Sequence, residues 1–320
     1  MSHAMFSRRG LLVGAGAVAA ASGLGLTAPS QAHAVGSGHG LTVVAHERIT
    51  DRLRYLRFRT RSIAWNPGVN VLLPRDYDDS GKRYPVLFLL HGGNSDFRSW
   101  HMGLGIEQAT ADAELIVVMP DAATGWYSNP VHTITGRRNW ETFHMAELLP
   151  WIDTNFRTHG DAAGRAVAGF SMGGFGALKY TAKYPELFSA VTSLSGPASL
   201  RGLGGLVTHW ANATGKLDNG LAFGVYGAPW NQRRVSADNP VEHIEAYRNK
   251  RIALYCGTGV DHPLRQEPAV RTTQGDFSAL LTRAGIEHTW VQHAGAHGAL
   301  VRENMTAEIP EIVAHLRPAG

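Results

Sequence analysis

Arg165-Ala-Val-Ala-Gly-Phe-Ser-Met-Gly-Gly-Phe-Gly-Ala-Leu-Lys179 is the stretch on which the fold turns. Arg165 to Ala168 reads as a short buried strand. Gly169-Phe170-Ser171-Met172-Gly173 fits G-x-S-x-G, and Phe175 to Tyr184 reads as a helix stopped by Pro185. A serine on so tight a strand-to-helix turn must sit in a strained backbone conformation. Side chains at 169 and 173 would collide with the neighbouring strand and helix, so both positions require glycine. The turn lifts the Ser171 hydroxyl out of the sheet. It also aims the Met172 amide, at the helix N-terminus, toward negative charge forming beside that hydroxyl.

Upstream, Pro85-Val-Leu-Phe-Leu-Leu90 is a near-continuous apolar run, as expected of a central parallel strand covered on both faces. It ends in His91-Gly92-Gly93-Asn94. In a sheet carrying such an elbow, this loop supplies a second oxyanion amide. Gly93 is the expected donor, with Asn94 the alternative. Leu41 to Ala45 and Leu53 to Thr60 read as antiparallel opening strands, and Val69 to Pro74 as a further strand. Leu115 to Pro120 is the next central strand, and the loop 121–136, with Trp126 and Tyr127, is expected over the same sheet edge. Ile106 to Ala113 predicts a short helix and Trp140 to Phe156 an amphipathic one. Further strands follow at Phe188 to Ser195, Arg251 to Cys256 and His288 to Gln292. Val270 to Ala284 and Met305 to Leu316 read as helices. Residues 198–245 are glycine-rich and weakly periodic, an expected insertion over the site. This alternation predicts an α/β-hydrolase fold: a mostly parallel central sheet with helices on both faces.

Composition narrows the class. At 320 residues, 44% apolar and 18% charged, the chain can bury a sizeable core. Ser7-Arg8-Arg9-Gly10-Leu11-Leu12, a weakly apolar run to Leu26 and Ala32-His33-Ala34 together predict a twin-arginine signal peptide over 1–34, cleaved after Ala34. The rest, 35–320, is expected to be the enzyme domain, secreted or held in the cell envelope, with no stable membrane insertion. Losing Arg8 and Arg9 lowers the formal charge from +4 to +2, too little for a nucleic-acid binder. Cys256 is the only cysteine, so no intrachain disulfide can form.

Ser171 needs a base, and the base needs an acid to orient it. In this fold the order is serine, acid, histidine. His297, between Gly295 and Gly298 after the last strand, fits the base; His293 is the alternative. Asp261 and Glu267 both precede it, and order alone leaves the acid open. His288, His293 and His297 lack the spacing of zinc motifs, so no metal is expected.

The chain resembles the antigen 85 mycolyltransferases and their wider esterase family from about residue 41 to the end. The resemblance lies in Val118-Met-Pro120, Trp140-Glu-Thr-Phe143 with Glu147-Leu148, Ser195-Gly196, Tyr255-Cys-Gly257 with Gly259, and Glu267-x-x-Val270-Arg271-Thr272 with Phe277. It implies Ser171 as nucleophile, Glu267 as acid, His297 as base, and Gly93 and Met172 as oxyanion donors. It also implies a secreted serine carboxylesterase acting on a small-molecule, lipid or sugar ester without a cofactor. The rival is an acyltransferase that hands the acyl group to a sugar or glycerol alcohol. A non-catalytic binding module would lack a triad member, and none is missing. Three departures weaken the mycolyltransferase specificity: His91 and Asn94 replace trehalose-holding residues, Gly298-Ala-Leu-Val-Arg302 replaces an aromatic run, and Gly173-Gly174 follows Met172 where alanines stand in that group. Cys256, at the end of the strand leading to the acid, is expected close enough to the site for its modification to inactivate.

Overall fold

The computed structural model describes residues 35–260 and 266–320. The twin-arginine stretch and Asp261 lie outside the described residues. Three antiparallel strands open the sheet: β1 (Thr42–Arg48), β2 (Leu53–Arg59) and β3 (Gly68–Leu72). β4 (Val86–Leu90) follows, then the short helices α1 (Ser99–Met102) and α2 (Ile106–Ala109), then β5 (Ile116–Pro120). A helical segment comes next, from α3 (Trp140–Thr142) through a π-helical stretch, Phe143–Leu148, to α4 (Leu149–Asn155). β6 (Arg165–Phe170), α5 (Met172–Lys183) and β7 (Ala190–Leu194) form the elbow unit. After α6 (Gly202–Asn219) and α7 (Gln232–Asp238) come β8 (Arg251–Gly257), α8 (Gln266–Arg283), β9 (Thr289–His293) and α9 (Val301–His315).

The strand order is β1-β2-β3-β5-β4-β6-β7-β8-β9, parallel from β5 onward. β4 has β5 on one side and β6 on the other, so the chain reverses direction across the sheet there. Loops leaving such a switch point diverge and open a crevice at the carboxyl ends of the strands. Leu90 pairs with Gly169, which sets the ends of β4 and β6, and hence His91 and Ser171, side by side.

Side-chain alternation along β4 divides the core. Val86, Phe88 and Leu90 pack with Trp151, Leu178 and Phe175 on one face. Leu87 and Leu89 pack with Trp100, Met305 and Ile309 on the other. A strand buried on both faces has no polar positions, which is why the run reads as continuously apolar.

Two expected helices differ in detail. The helix expected over 106–113 ends at Ala109. The Arg52 guanidinium donates to the carbonyls of Glu107 and Thr110, each at 2.9 Å, and so takes acceptors a longer helix would use. The helix expected over 140–156 is continuous but widens in its middle, because Pro150 has no amide to return to the preceding turn. Residues 198–245 contain a long helix, α6, that the weak periodicity hid. Leu203, Gly204 and Gly205 are all left-handed near its start and break the helical register.

Candidate active site

Ser171 joins β6 to α5 at φ 54° and ψ −116°, a backbone conformation costly for any residue with a Cβ. Its amide donates to Leu194 O at 2.8 Å, which clamps the turn to β7. The two flanking glycines answer steric demands. A Cβ on Gly169 would lie 2.4 Å from the Gly173 backbone, and one on Gly173 would lie 2.4 Å from Leu90 O. α5 starts directly on Met172, earlier than the expected Phe175, so the Met172 amide belongs to the first turn, where the helix offers no carbonyl to it.

His297 comes from the loop after β9. Gly295 and Gly298 both have positive φ there, and Gly259 N–H donates to Gly295 O at 2.7 Å, tying this loop to the one after β8. The imidazole lies between two partners: Nε2 is 2.8 Å from Ser171 Oγ, and Nδ1 is 2.6 Å from Glu267 Oε2. Glu267, in the first turn of α8, has no solvent exposure. Its other oxygen accepts from Ser195 Oγ at 2.9 Å and from the Gly257 amide. The Phe170 ring packs 5.2 Å from the imidazole centroid. His293, the alternative base, instead has Nδ1 near the adjacent Ala294 carbonyl at 3.3 Å.

Gly93, Asn94, Ser171, Met172 and His297 all line one cleft of about 430 Å³. Its walls are mostly apolar: Trp126, Phe170, Trp210 and Val270. Trp210 comes from α6, within the expected insertion. The Trp126 indole N–H donates to Thr214 Oγ1 at 2.7 Å and so fixes that wall to the same helix. The two loop glycines differ. A Cβ on Gly92 would strike the Phe170 ring at 2.8 Å, whereas one on Gly93 would meet open space. Gly92 is therefore required by packing, and Gly93 leaves room on the side facing the cleft.

Sequence reasoning found the serine, histidine and glutamate that the fold brings together. It gave Ser195 no role, although this side chain holds the glutamate. Ser195 ends β7, two strands from β9, and its left-handed φ of 46° was the only local oddity. Cys256 is next to Gly257, as expected, but it is fully buried, and burial pushes its thiol up to about 11. Closeness to the glutamate holds; access by a reagent does not. Among the described residues, no helix is long and apolar enough to cross a membrane.

The family model described as "Putative esterase" matches residues 60–301. Esterase Rv1288 of Mycobacterium tuberculosis (strain ATCC 25618 / H37Rv) is 54% identical over 294 residues, covering 88% of this chain and 63% of that protein. The chain thus spans less than two thirds of that relative's length. Diacylglycerol acyltransferase/mycolyltransferase Ag85A of Mycobacterium leprae (strain TN) is 27% identical over 201 residues, 57% of either chain. The solved structure of Mycobacterium tuberculosis MPT51 (FbpC1) has a TM-score of 0.66 at 21% identity, covering 86% of this chain and 100% of that one. With the sheet order and the elbow, these matches show the chain to be a member of the antigen-85-like esterase family, with the α/β-hydrolase fold.

Proposed function

We propose that the protein hydrolyses carboxylic esters through an acyl-enzyme on Ser171. The observation that carries this reading is the imidazole of His297 held between Ser171 Oγ and Glu267 Oε2. His297 Nε2 takes the hydroxyl proton as Ser171 Oγ bonds to the ester carbonyl carbon. The Gly93 and Met172 amides face the oxyanion and stabilise it. The imidazolium gives its proton to the departing alcohol. Water then repeats the sequence on the acyl-enzyme, and Ser171 regains its proton. The apolar walls of the cleft favour an ester with an apolar acyl group. The decisive experiment is labelling with a fluorophosphonate, with turnover of p-nitrophenyl esters of increasing chain length. Stoichiometric labelling lost in Ser171→Ala is expected; label on Ser95 or Ser195 would overturn the assignment.

A second reading is acyl transfer to an alcohol, which the similarity to Ag85A favours. The chemistry is the same until deacylation. An acyl donor supplied together with trehalose or glycerol separates the two readings. Free acid alone is expected; an acylated sugar or glycerol would favour transfer. Export by the twin-arginine route belongs to the same proposal and rests on Arg8 and Arg9. Replacing both with lysine is expected to leave the protein in the cell, as checked by fractionation.

A further inference from the structure

We infer that His91 is a positioning residue for the oxyanion amide, an inference that rests on the hydrolase reading above. The loop after β4 must present the Gly93 N–H to the cleft without help from regular secondary structure. Three successive carbonyls at this point each accept from a side chain. Trp100 Nε1–H donates to Leu90 O at 3.1 Å, the Tyr127 hydroxyl to His91 O at 2.8 Å, and His91 Nδ1 to Gly92 O at 2.8 Å. The third contact bears directly on the oxyanion donor. Gly92 O and the Gly93 N–H belong to one peptide unit, and in a planar trans peptide they point in opposite directions. Fixing the oxygen on one side therefore fixes the direction of the N–H on the other.

The imidazole is itself immobilised. It is 1% exposed, and its Nε2 accepts from the Ala122 amide at 3.0 Å, at the end of the adjacent strand β5. A carbonyl can only accept, so Nδ1 carries the proton, and an N–H pointing at Nε2 leaves Nε2 the acceptor. One neutral tautomer satisfies both contacts. Among the described residues nothing accepts from the Gly93 amide, which is the state a preorganised oxyanion donor requires. Asn94 follows with φ 57°, so the chain turns away from the cleft immediately after the donor.

The proposal separates from a merely structural role because a misdirected oxyanion donor is felt in the transition state and hardly in substrate binding. The test compares His91→Gln with His91→Asn. An asparagine amide stands near the place of Nδ1 and keeps a donor for Gly92 O; a glutamine amide stands near Nε2 and does not. In His91→Gln, kcat on p-nitrophenyl butyrate is expected to fall about 10- to 100-fold with KM little changed, since losing such a donor outright costs about 100- to 1000-fold. Affinity for an alkylboronic acid, which forms a tetrahedral adduct, is expected to fall in parallel. His91→Asn is expected to recover most of kcat and of boronate affinity, even though it lacks an acceptor for the Ala122 amide. Wild-type kcat and boronate affinity in His91→Gln would overturn the inference, and so would equal losses in the two variants. Should His91→Gln fail to fold, His91→Asn decides alone: a loss of kcat beyond tenfold overturns the inference. Retained turnover in Ser171→Ala would instead show that the hydrolase reading had failed.

Discussion

At the scale of single residues, the glutamate's two oxygens have separate tasks. Oε1 is held by Ser195 and the Gly257 amide, and Oε2 faces His297. In Glu267→Gln the amide oxygen would remain with the two donors, so the new NH₂ would face Nδ1. The imidazole would then adopt the tautomer with its proton on Nε2, which cannot take the serine proton. A loss of about ten-thousandfold in kcat is expected, on the scale of the comparable change in a serine protease triad. Ser195→Ala removes one donor and leaves the other, so roughly a tenfold loss is expected, measured as kcat on the same ester. The choice of Glu267 was not legible from residue order, because Asp261 also stands between serine and histidine; the resemblance supplied it. What no reading of the chain could supply was the Ser195 contact, which depends on β7 and β8 being neighbours. Cys256 gives a sharper lesson. With its thiol near 11, about one molecule in a thousand carries thiolate at pH 8, and the residue is buried. Iodoacetamide is expected to leave the native enzyme active and its mass unchanged, and to add one carboxamidomethyl group after unfolding.

At the scale of elements, a buried ionic cluster joins the elbow helix to its neighbours. Lys179 and Lys183 of α5 both reach Glu141 of α3 and Asp238 of α7, at 2.6 to 3.1 Å. Lys179 has no exposure, and its ammonium also donates to Tyr127 O and Ser128 Oγ. Burial alone would raise the Glu141 pKa, but Lys179 and Lys183 reverse this and hold it well below the usual carboxylate range. The folded pKa is thus below the unfolded value of 4.5, so this group's contribution is present above about pH 4.5 and lost as pH falls through the depressed value. Lys179→Met would leave two buried carboxylates short of a partner. Destabilisation of about 3–5 kcal/mol is expected, read as a lower urea midpoint at pH 7 with a smaller deficit at acid pH. Glu141 was visible in the sequence as part of Trp140-Glu-Thr-Phe143, but its partners were not, because α7 lay in the stretch whose periodicity was weak. Gly205 explains part of that weakness. A Cβ there would come within 2.2 Å of the Trp230 ring, so close packing between α6 and the loop before α7 put glycine where a helix former would have marked the helix.

At the scale of the whole molecule, the parallel half of the sheet was legible because each of its central strands is an apolar run followed by a turn. The opening strands were legible through alternation, Leu53, Tyr55 and others against arginines. The sheet order was not read from residues at all; it follows from which helices cover which face. The same scale decides what a mature chain beginning at Val35 gains from its first residues. Gly36 N–H donates to Asn155 Oδ1 at 2.7 Å, and the buried Trp151 indole N–H donates to Gly36 O at 2.8 Å. These contacts pin the lead segment across α4, ahead of the edge strand β1. A chain starting at Leu41 would keep every strand and every site residue but lose both bonds. At about 1 kcal/mol for each, with roughly 2–4 °C per kcal/mol in a domain of this size, the shorter chain should melt about 4–8 °C lower. Its kcat at 25 °C should match that of the chain from Val35, because Ser171, Glu267 and His297 lie at the opposite side of the sheet order from β1. Equal melting temperatures would show that the segment before β1 is not held by Trp151 and Asn155.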